Sequence, residues 1–346
     1  MTGRLLTAAL LAFTALTSLA QQPKALFYMT QDPGSVRDFL AHAQQIDILV
    51  PTWYIVDQDG LIQGGPNPLV AETAKRAHVP VMPIVASRAF DQADFHSLVN
   101  HPERFPGMFQ QMIDAAKQNG YIGYQFDFEN IAWTDRDALS RMVAAAADAM
   151  HHAGLQLTIA TVPAAPGHPG ASDFSRWIYA NWRGAYDLAA LAKSVDLICL
   201  MTYDQHTRWT VPGPVAGWSW TTENLDYALK FVPPQKLSLG IPLYGYHWFT
   251  GAPQNGKPNP TAEYIGGEDA LLLAKTWNGH VQWDPVDHTA WLWFYRDDMR
   301  EWIFFTDQHT FEDRYDLAKQ HGLQGFCSWV LGQEDQSIWK SLPHHD

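Results

Sequence analysis

Gly123-Tyr124-Gln125-Phe126-Asp127-Phe128-Glu129 alternates polar and aromatic residues without a break. Successive side chains on a strand point to opposite faces. Gln125, Asp127 and Glu129 therefore share one face, and Tyr124, Phe126 and Phe128 share the other. This reads as a short buried strand with two carboxyls and an amide in a row near its end. Burying such a row is unfavourable unless the groups are paired or used. The plain alternative is a structural carboxylate pair at a sheet edge, and the surrounding chain decides between the two.

Outward from this stretch, strand-like and helix-like segments alternate. Strands are expected at 25–29, 46–56, 79–86, 121–129, 155–162, 195–204, 236–244 and 325–331. Helices are expected at 32–45, 68–78, 102–118, 135–152, 185–193, 222–231 and 310–321. The helix over 135–152 is the clearest, with an alanine-rich interior and Gly154 just past its end. Continuous apolar strands that lead into helices predict a parallel sheet covered by helices. Eight of them predict a closed (β/α)8 TIM barrel of the α/β class. A doubly wound sheet is the alternative, but no glycine-rich first turn supports it. The segment 249–305 breaks the rhythm with Gly266-Gly267, Trp283-Asp284 and two alternating aromatic runs. It is expected to be a small α+β insertion after the seventh strand.

Composition narrows the function classes. Arg4, an apolar run over 5–19 and Ser18-Leu19-Ala20 together resemble a signal peptide over 1–20, cleaved before Gln21. A secreted or periplasmic protein is expected, with residues 21–346 as one catalytic domain. The apolar run is shorter than the roughly 20 residues that a span needs, so no stable membrane insertion is expected. The formal charge of −13 and the lack of a basic stripe argue against nucleic acid. No Gly-rich phosphate loop follows a strand, and no His or Cys pair has ligand spacing, so neither cofactor nor metal is expected. Cys199 and Cys327 fall on strands with one strand between them, about 9–10 Å apart, and are expected to be free thiols. A monomer is expected.

The remaining polar and aromatic candidates cluster at strand ends. Trp53 and Tyr54 end the second strand, Asp127 and Glu129 the fourth, and Met201, Tyr203 and Asp204 the sixth. Tyr244 ends the seventh and Trp329 the eighth. A barrel brings all these ends to one mouth. The Pro/Gly-rich pieces 163–170 and 212–217 follow strands there and become top-face loops. Fifteen tryptophans supply flat apolar faces with an N–H handle, which suits sugar rings. Trp329 is the candidate floor, and Trp177, Trp182, Trp218 and Trp220 lie in or near top-face loops.

At this point the chain resembles glycoside hydrolase family 18, which holds chitinases and related N-acetylglucosaminidases. Gly123–Glu129 is similar to the Asp-x-x-Asp-x-Asp-x-Glu strand of that family. Met201-Thr202-Tyr203-Asp204 matches its sixth-strand motif. Gly240-Ile241-Pro242-Leu243-Tyr244-Gly245-Tyr246 resembles its seventh strand and Gly325–Trp329 its eighth, which ends in a tryptophan under the sugar. Two positions depart: Ile122 and Gln125 stand where the pattern has Asp. An amide at Gln125 resembles the bacterial branch that cuts peptidoglycan, including spore-cortex N-acetylglucosaminidases. Softer likenesses to that branch are Trp283-Asp284-Pro285, Thr306-Asp307, and Trp53-Tyr54 followed by Asp59-Gly60.

The resemblance implies substrate-assisted retention on β-linked N-acetylglucosamine glycans. Glu129 would be the acid and then the base, Asp127 would orient the acetamido group, and Tyr203 would hydrogen-bond its oxygen. Gln125, Met201, Asp204, Tyr244, Trp329, Trp53 and Tyr54 would bind substrate. A charged Asp127 in a partly apolar mouth is expected to keep Glu129 protonated near neutrality. Gln125 is expected to donate its amide to Asp127 and help keep it ionised. Two other readings stand beside this one. A lectin-like barrel would bind glycan without cutting it. A hydrolase with an ordinary nucleophile would need a second carboxyl about 5–5.5 Å from Glu129, for which Asp204 is the candidate.

Overall fold

The computed structural model describes residues 22–249 and 261–345. The expected signal segment, and residues 250–260 of the expected insertion, lie outside the described residues. Eight parallel strands form the frame. They are β1 (Lys24–Met29), β2 (Ile48–Pro51, resuming as Tyr54–Val56), β3 (Ile84–Ser87) and β4 (Gly123–Asp127). They continue with β5 (Gln156–Thr161), β6 (Leu197–Leu200), β7 (Leu237–Pro242) and β8 (Gly325–Trp329). The sheet runs from the first piece of β2 through β1, β8, β7, β6, β5, β4 and β3 to the second piece of β2, and ends on a short antiparallel strand, Ile62–Gly64. The two pieces of β2 lie at opposite sides of the sheet, one at its end and one next to its end, so the sheet curls back on itself. A parallel bridge between Leu49 and Val81 ties the first piece of β2 to the chain entering β3. This is the (β/α)8 architecture, and it gathers the C-terminal strand ends at one mouth.

Helices follow the strands and cover the outer face. Where the sequence supplies a cap, the helix starts at it. Asn67 accepts from Leu69 N and Val70 N, Asp91 from Ala93 N and Asp94 N, and Asp307 from Thr310 N. A large apolar layer between strands and helices contains Tyr124, Phe126 and Phe128. A second apolar cluster lies inside the barrel and contains Leu26, Tyr28, Ile84, Cys199, Met201 and Tyr203. The register sets Gln125 beside Ile84 and Thr158, and Asp127 beside Ala86. The polar row of β4 therefore faces inward, as its alternation requires.

The seventh strand ends at Pro242, earlier than expected, and Tyr244 already pairs with Gly266 in a second sheet. That sheet is antiparallel and five-stranded. Its spatial order is Ala262–Gly266, Tyr244–Trp248, Met299–Phe305, Thr289–Arg296 and His280–Asp284. Helix Gly267–Thr276 packs on one face through Ala270 and Ala274, against Leu292, Phe294, Ile303 and Phe305. Tyr264, Trp302 and Phe304 of the same sheet pack instead against the cluster inside the barrel mouth.

Trp53 and Tyr54 do not reach the mouth. The break in β2 resets the alternation. Tyr54 pairs with Val85, an outward residue, and Ile55 pairs with Ala86. Trp53 and Tyr54 lie in the outer layer with Tyr121, at ring separations of 5.9 and 6.2 Å. The Tyr54 and Tyr121 hydroxyls hydrogen-bond at 3.0 Å. Cys199 and Cys327 are buried and unbridged.

Candidate active site

The two carboxyls of β4 are held by what surrounds the residue between them. Phe128 points outward and packs on Phe95 and Phe126, with ring centroids 5.0 and 4.8 Å away. The Tyr186 hydroxyl donates to the Phe128 carbonyl at 2.5 Å. Just past Glu129 the chain turns sharply at Asn130, whose φ is 52°. The Asn130 side chain donates to the Phe90 carbonyl and its own carbonyl accepts from Gln92. Asp127 and Glu129 thus leave a backbone pinned from both sides.

Met201–Asp204 arrives from the end of β6 through two tight turns. Thr202 N donates to Leu200 O at 2.8 Å, and Tyr203 N donates to Met201 O at 2.7 Å. The Thr202 hydroxyl ties the bend to Gly240 O on β7 at 2.7 Å. A side chain at Gly240 would meet this bend, because its Cβ would stand 2.5 Å from Leu200 O and 2.6 Å from Thr202 N. Glycine is required there by close approach. The bend presents Tyr203 inward and sets Asp204 at a left-handed φ of 63°. Tyr244 donates to Asp204 Oδ1 at 2.5 Å. Tyr244 is itself stacked on Tyr264 at 4.4 Å.

Glu129, Met201, Tyr203 and Asp204 line one small cavity of about 110 Å³ with Val162, Pro163, Trp182, Arg183 and Trp220. Burial pushes the Asp127 carboxyl up to about 7, and one of its oxygens has no hydrogen-bond partner. Burial also pushes Glu129 well above the usual carboxylate range, and the negative charges of Asp127 and Asp204 push it further. Asp204 is open to solvent on one side. Desolvation still raises it, against the opposing pull of Tyr244, Tyr246 and Arg208. The Tyr203 phenol is raised by burial and then by nearby acidic groups, so it remains a hydrogen-bond donor at neutral pH.

Gln125 differs from expectation. Its amide donates to Thr158 Oγ1 at 3.1 Å and to Cys199 Sγ at 3.2 Å, and its carbonyl oxygen is unpartnered. Among the described residues no hydrogen bond joins it to Asp127. The amide sits one layer below and turns toward β5 and β6, so Asp127 lacks the donor that would keep it firmly ionised. Trp329 lies inward at the end of β8, 5.5 Å from the Tyr28 ring. Trp182 and Trp220 reach the cavity. Trp218 instead stacks on His288 at 4.3 Å, and Trp177 stands exposed against Phe174. Sequence reading did not single out Tyr186 or Arg183. Both lie between β5 and β6, where no periodicity marks a residue as facing the mouth. Among the described residues no cluster of three or more His, Cys, Asp or Glu is placed to hold a metal ion.

The arrangement offers a carboxyl biased toward its protonated form and a phenol donor on one cavity, with a second carboxyl whose charge is felt by both. That set suits acid–base chemistry on a neutral leaving group.

Comparison with known proteins gives the same direction. The family model described as glycosyl hydrolases family 18 matches residues 5–334. An uncharacterized glycosylase, YvbX of Bacillus subtilis, is 24% identical over 326 residues, covering 91% of this chain and 89% of that protein. The cortical fragment-lytic enzyme of Bacillus subtilis is 25% identical over 277 residues, 79% of this chain and 61% of that protein. The crystal structure of a chitinase from Chromobacterium violaceum superposes with a TM-score of 0.81 at 22% identity, over 92% of this chain and 97% of that one. The spore cortex-lytic enzyme SleL of Bacillus megaterium also gives 0.81, at 21% identity, over 94% of this chain and 74% of that one.

Proposed function

The chain belongs to glycosyl hydrolases family 18, and from that premise we propose that it cleaves β-linked N-acetylglucosamine glycans by substrate-assisted retaining catalysis. Glu129 donates its proton to the glycosidic oxygen as the bond from that oxygen to the anomeric carbon breaks. The substrate's own acetamido oxygen closes on the anomeric carbon and gives an oxazolinium ion. Ionised Asp127 accepts from the acetamido N–H and offsets the positive charge that develops there. Tyr203 donates to the acetamido oxygen and holds it in line for attack. Glu129, now a carboxylate, takes a proton from the water that reopens the ring, and the anomeric configuration is retained.

One observation carries this reading. Asp127 and Glu129 project side by side from a pinned strand end, and burial biases both toward the protonated form. Asp204 fits a supporting role better than that of nucleophile, because the Tyr244 hydroxyl already holds it. Relatives named as cortical fragment-lytic enzymes and as a class V chitinase support peptidoglycan and chitin-type oligosaccharides as the two substrate candidates. Export, from the segment over 1–20, belongs to the same proposal.

The test is product analysis by mass spectrometry for the protein and its Glu129→Gln variant, on chito-oligosaccharides and on purified peptidoglycan. New reducing ends at N-acetylglucosamine from the wild type alone support the reading. The product anomer and inhibition by a thiazoline mimic of the oxazolinium then separate substrate assistance from a protein nucleophile. Retention of glycan on a column with no cleavage by either protein would replace the enzyme with a sugar-binding barrel.

A further inference from the structure

Two hydrogen-bond donors on the wall of the catalytic cavity are little used within the protein. Arg183 is the one cationic residue lining that cavity. Its side chain is half-buried, yet among the described residues it makes no ion pair within 4 Å. Its one hydrogen bond there is a long one of 3.5 Å to Ala165 O. The charge that raises it is that of Glu223, an exposed residue on helix Trp218–Ala228. Beside it, the Trp182 indole N–H is buried without a partner. A guanidinium presents several N–H groups in a rigid fork that matches a carboxylate. Withdrawing such a group from water without a partner is unfavourable, and a neutral sugar hydroxyl or amide oxygen offsets that cost poorly.

We propose that Arg183, aided by the Trp182 N–H, is a specificity-determining residue that binds a carboxylate on the sugar next to the reacting N-acetylglucosamine. The preferred substrate is then an acidic glycan whose alternate amino sugars carry a free carboxylate, as in peptidoglycan strands stripped of their stem peptides, and not neutral chitin. This rests on the hydrolase reading above for the identity of the cavity. Arg183 and Glu129 line the same cavity, and a bound carboxylate would be neutralised there by the guanidinium. Val162, Pro163 and Trp220 supply the apolar wall that would limit water around the pair.

The experiment uses one pair of oligosaccharides, identical except that the carboxylates of one are converted to carboxamides in the other. kcat/KM is measured for both with wild type, Arg183→Lys and Arg183→Gln. Dissociation constants for both are measured by calorimetry in the Glu129→Gln protein and in the Glu129→Gln/Arg183→Gln double variant. The wild type is expected to prefer the carboxylate by about 10-fold or more in kcat/KM, a factor typical of one charge-assisted contact. Arg183→Gln should level that preference, and Arg183→Lys, which keeps the charge and loses the fork, should retain part of it. The binding constants should follow the same order. A wild-type preference near unity, or one unchanged in Arg183→Gln, overturns the proposal. If nothing is cleaved, the hydrolase reading fails by itself, while the binding constants still decide whether Arg183 reads the carboxylate.

Discussion

Two of the carboxylates that the molecule buries are treated in opposite ways. In the second sheet, Glu301 is almost fully enclosed, and both of its oxygens are satisfied. Oε1 accepts from Arg296 Nε at 2.9 Å, and Oε2 meets His247 Nε2 at 2.8 Å. The other His247 nitrogen lies 3.2 Å from Glu263. At the barrel mouth, Asp127 is also buried, but one of its oxygens is orphaned and its proton is held up to about 7. The paired carboxylate holds a sheet together. The unpaired one is a standing cost to the fold, and such costs persist where a group has chemistry to do.

The sharpest way to break this comparison is to remove each carboxylate in turn. Glu129→Gln should lower turnover by about 10³-fold or more, the scale of a lost general acid, while leaving the fold at least as stable at pH 8. Glu301→Gln should do the reverse. It leaves Arg296 and His247 without their anion and should cost on the order of 3 kcal/mol, read by denaturant unfolding, with little change in turnover per folded molecule. Equal activity losses in the two variants would erase the distinction.

Asp127→Asn should lower kcat/KM by about 10²-fold and remove the acid limb of its pH profile. In the wild type, activity should rise with pH through about 7 as Asp127 ionises, then fall at higher pH as Glu129 loses its proton. The stability sign follows from the same shift. The folded form holds the Asp127 proton more tightly than the unfolded chain does. Its contribution is therefore intact below the ordinary carboxylate range and is lost as pH rises from there through about 7. The melting temperature of Asp127→Asn relative to wild type should climb over that window and then level off. A flat difference would mean that Asp127 is not desolvated.

Gly240→Ala should destabilise by about 1–3 kcal/mol, because its Cβ must displace the bend that carries Met201 and Tyr203. Turnover should fall with it, through Tyr203. The smallest effect is expected for Tyr54→Phe, which removes only the hydroxyl contact with Tyr121, about 1 kcal/mol, and leaves kcat/KM unchanged. A kinetic defect there would return Tyr54 to the mouth.

Much of the fold and of the site is legible in the sequence, for identifiable reasons. The alternation in Gly123–Glu129 places three polar side chains on one face whatever the rest of the chain does, and the register confirms that face as the interior. The Met201–Asp204 motif and Tyr244 likewise arrive at the mouth. Trp53 and Tyr54 were misplaced because period-2 reasoning holds only along an unbroken strand, and β2 breaks between Pro51 and Tyr54.

By itself the sequence determined the strand–helix rhythm, the side of β4 that carries the acids, and the family. These depend on local periodicity and on short strings of residues, which need no knowledge of distant neighbours. Tertiary structure alone decided that Gln125 serves Thr158 and Cys199 instead of Asp127. It alone brought Arg183 and Trp182 to the cavity wall and set the Tyr186 hydroxyl on the Phe128 carbonyl. Hydrogen-bond partners and charge environments are set by which groups meet when the sheet closes. They join residues dozens of positions apart, and no local pattern records them.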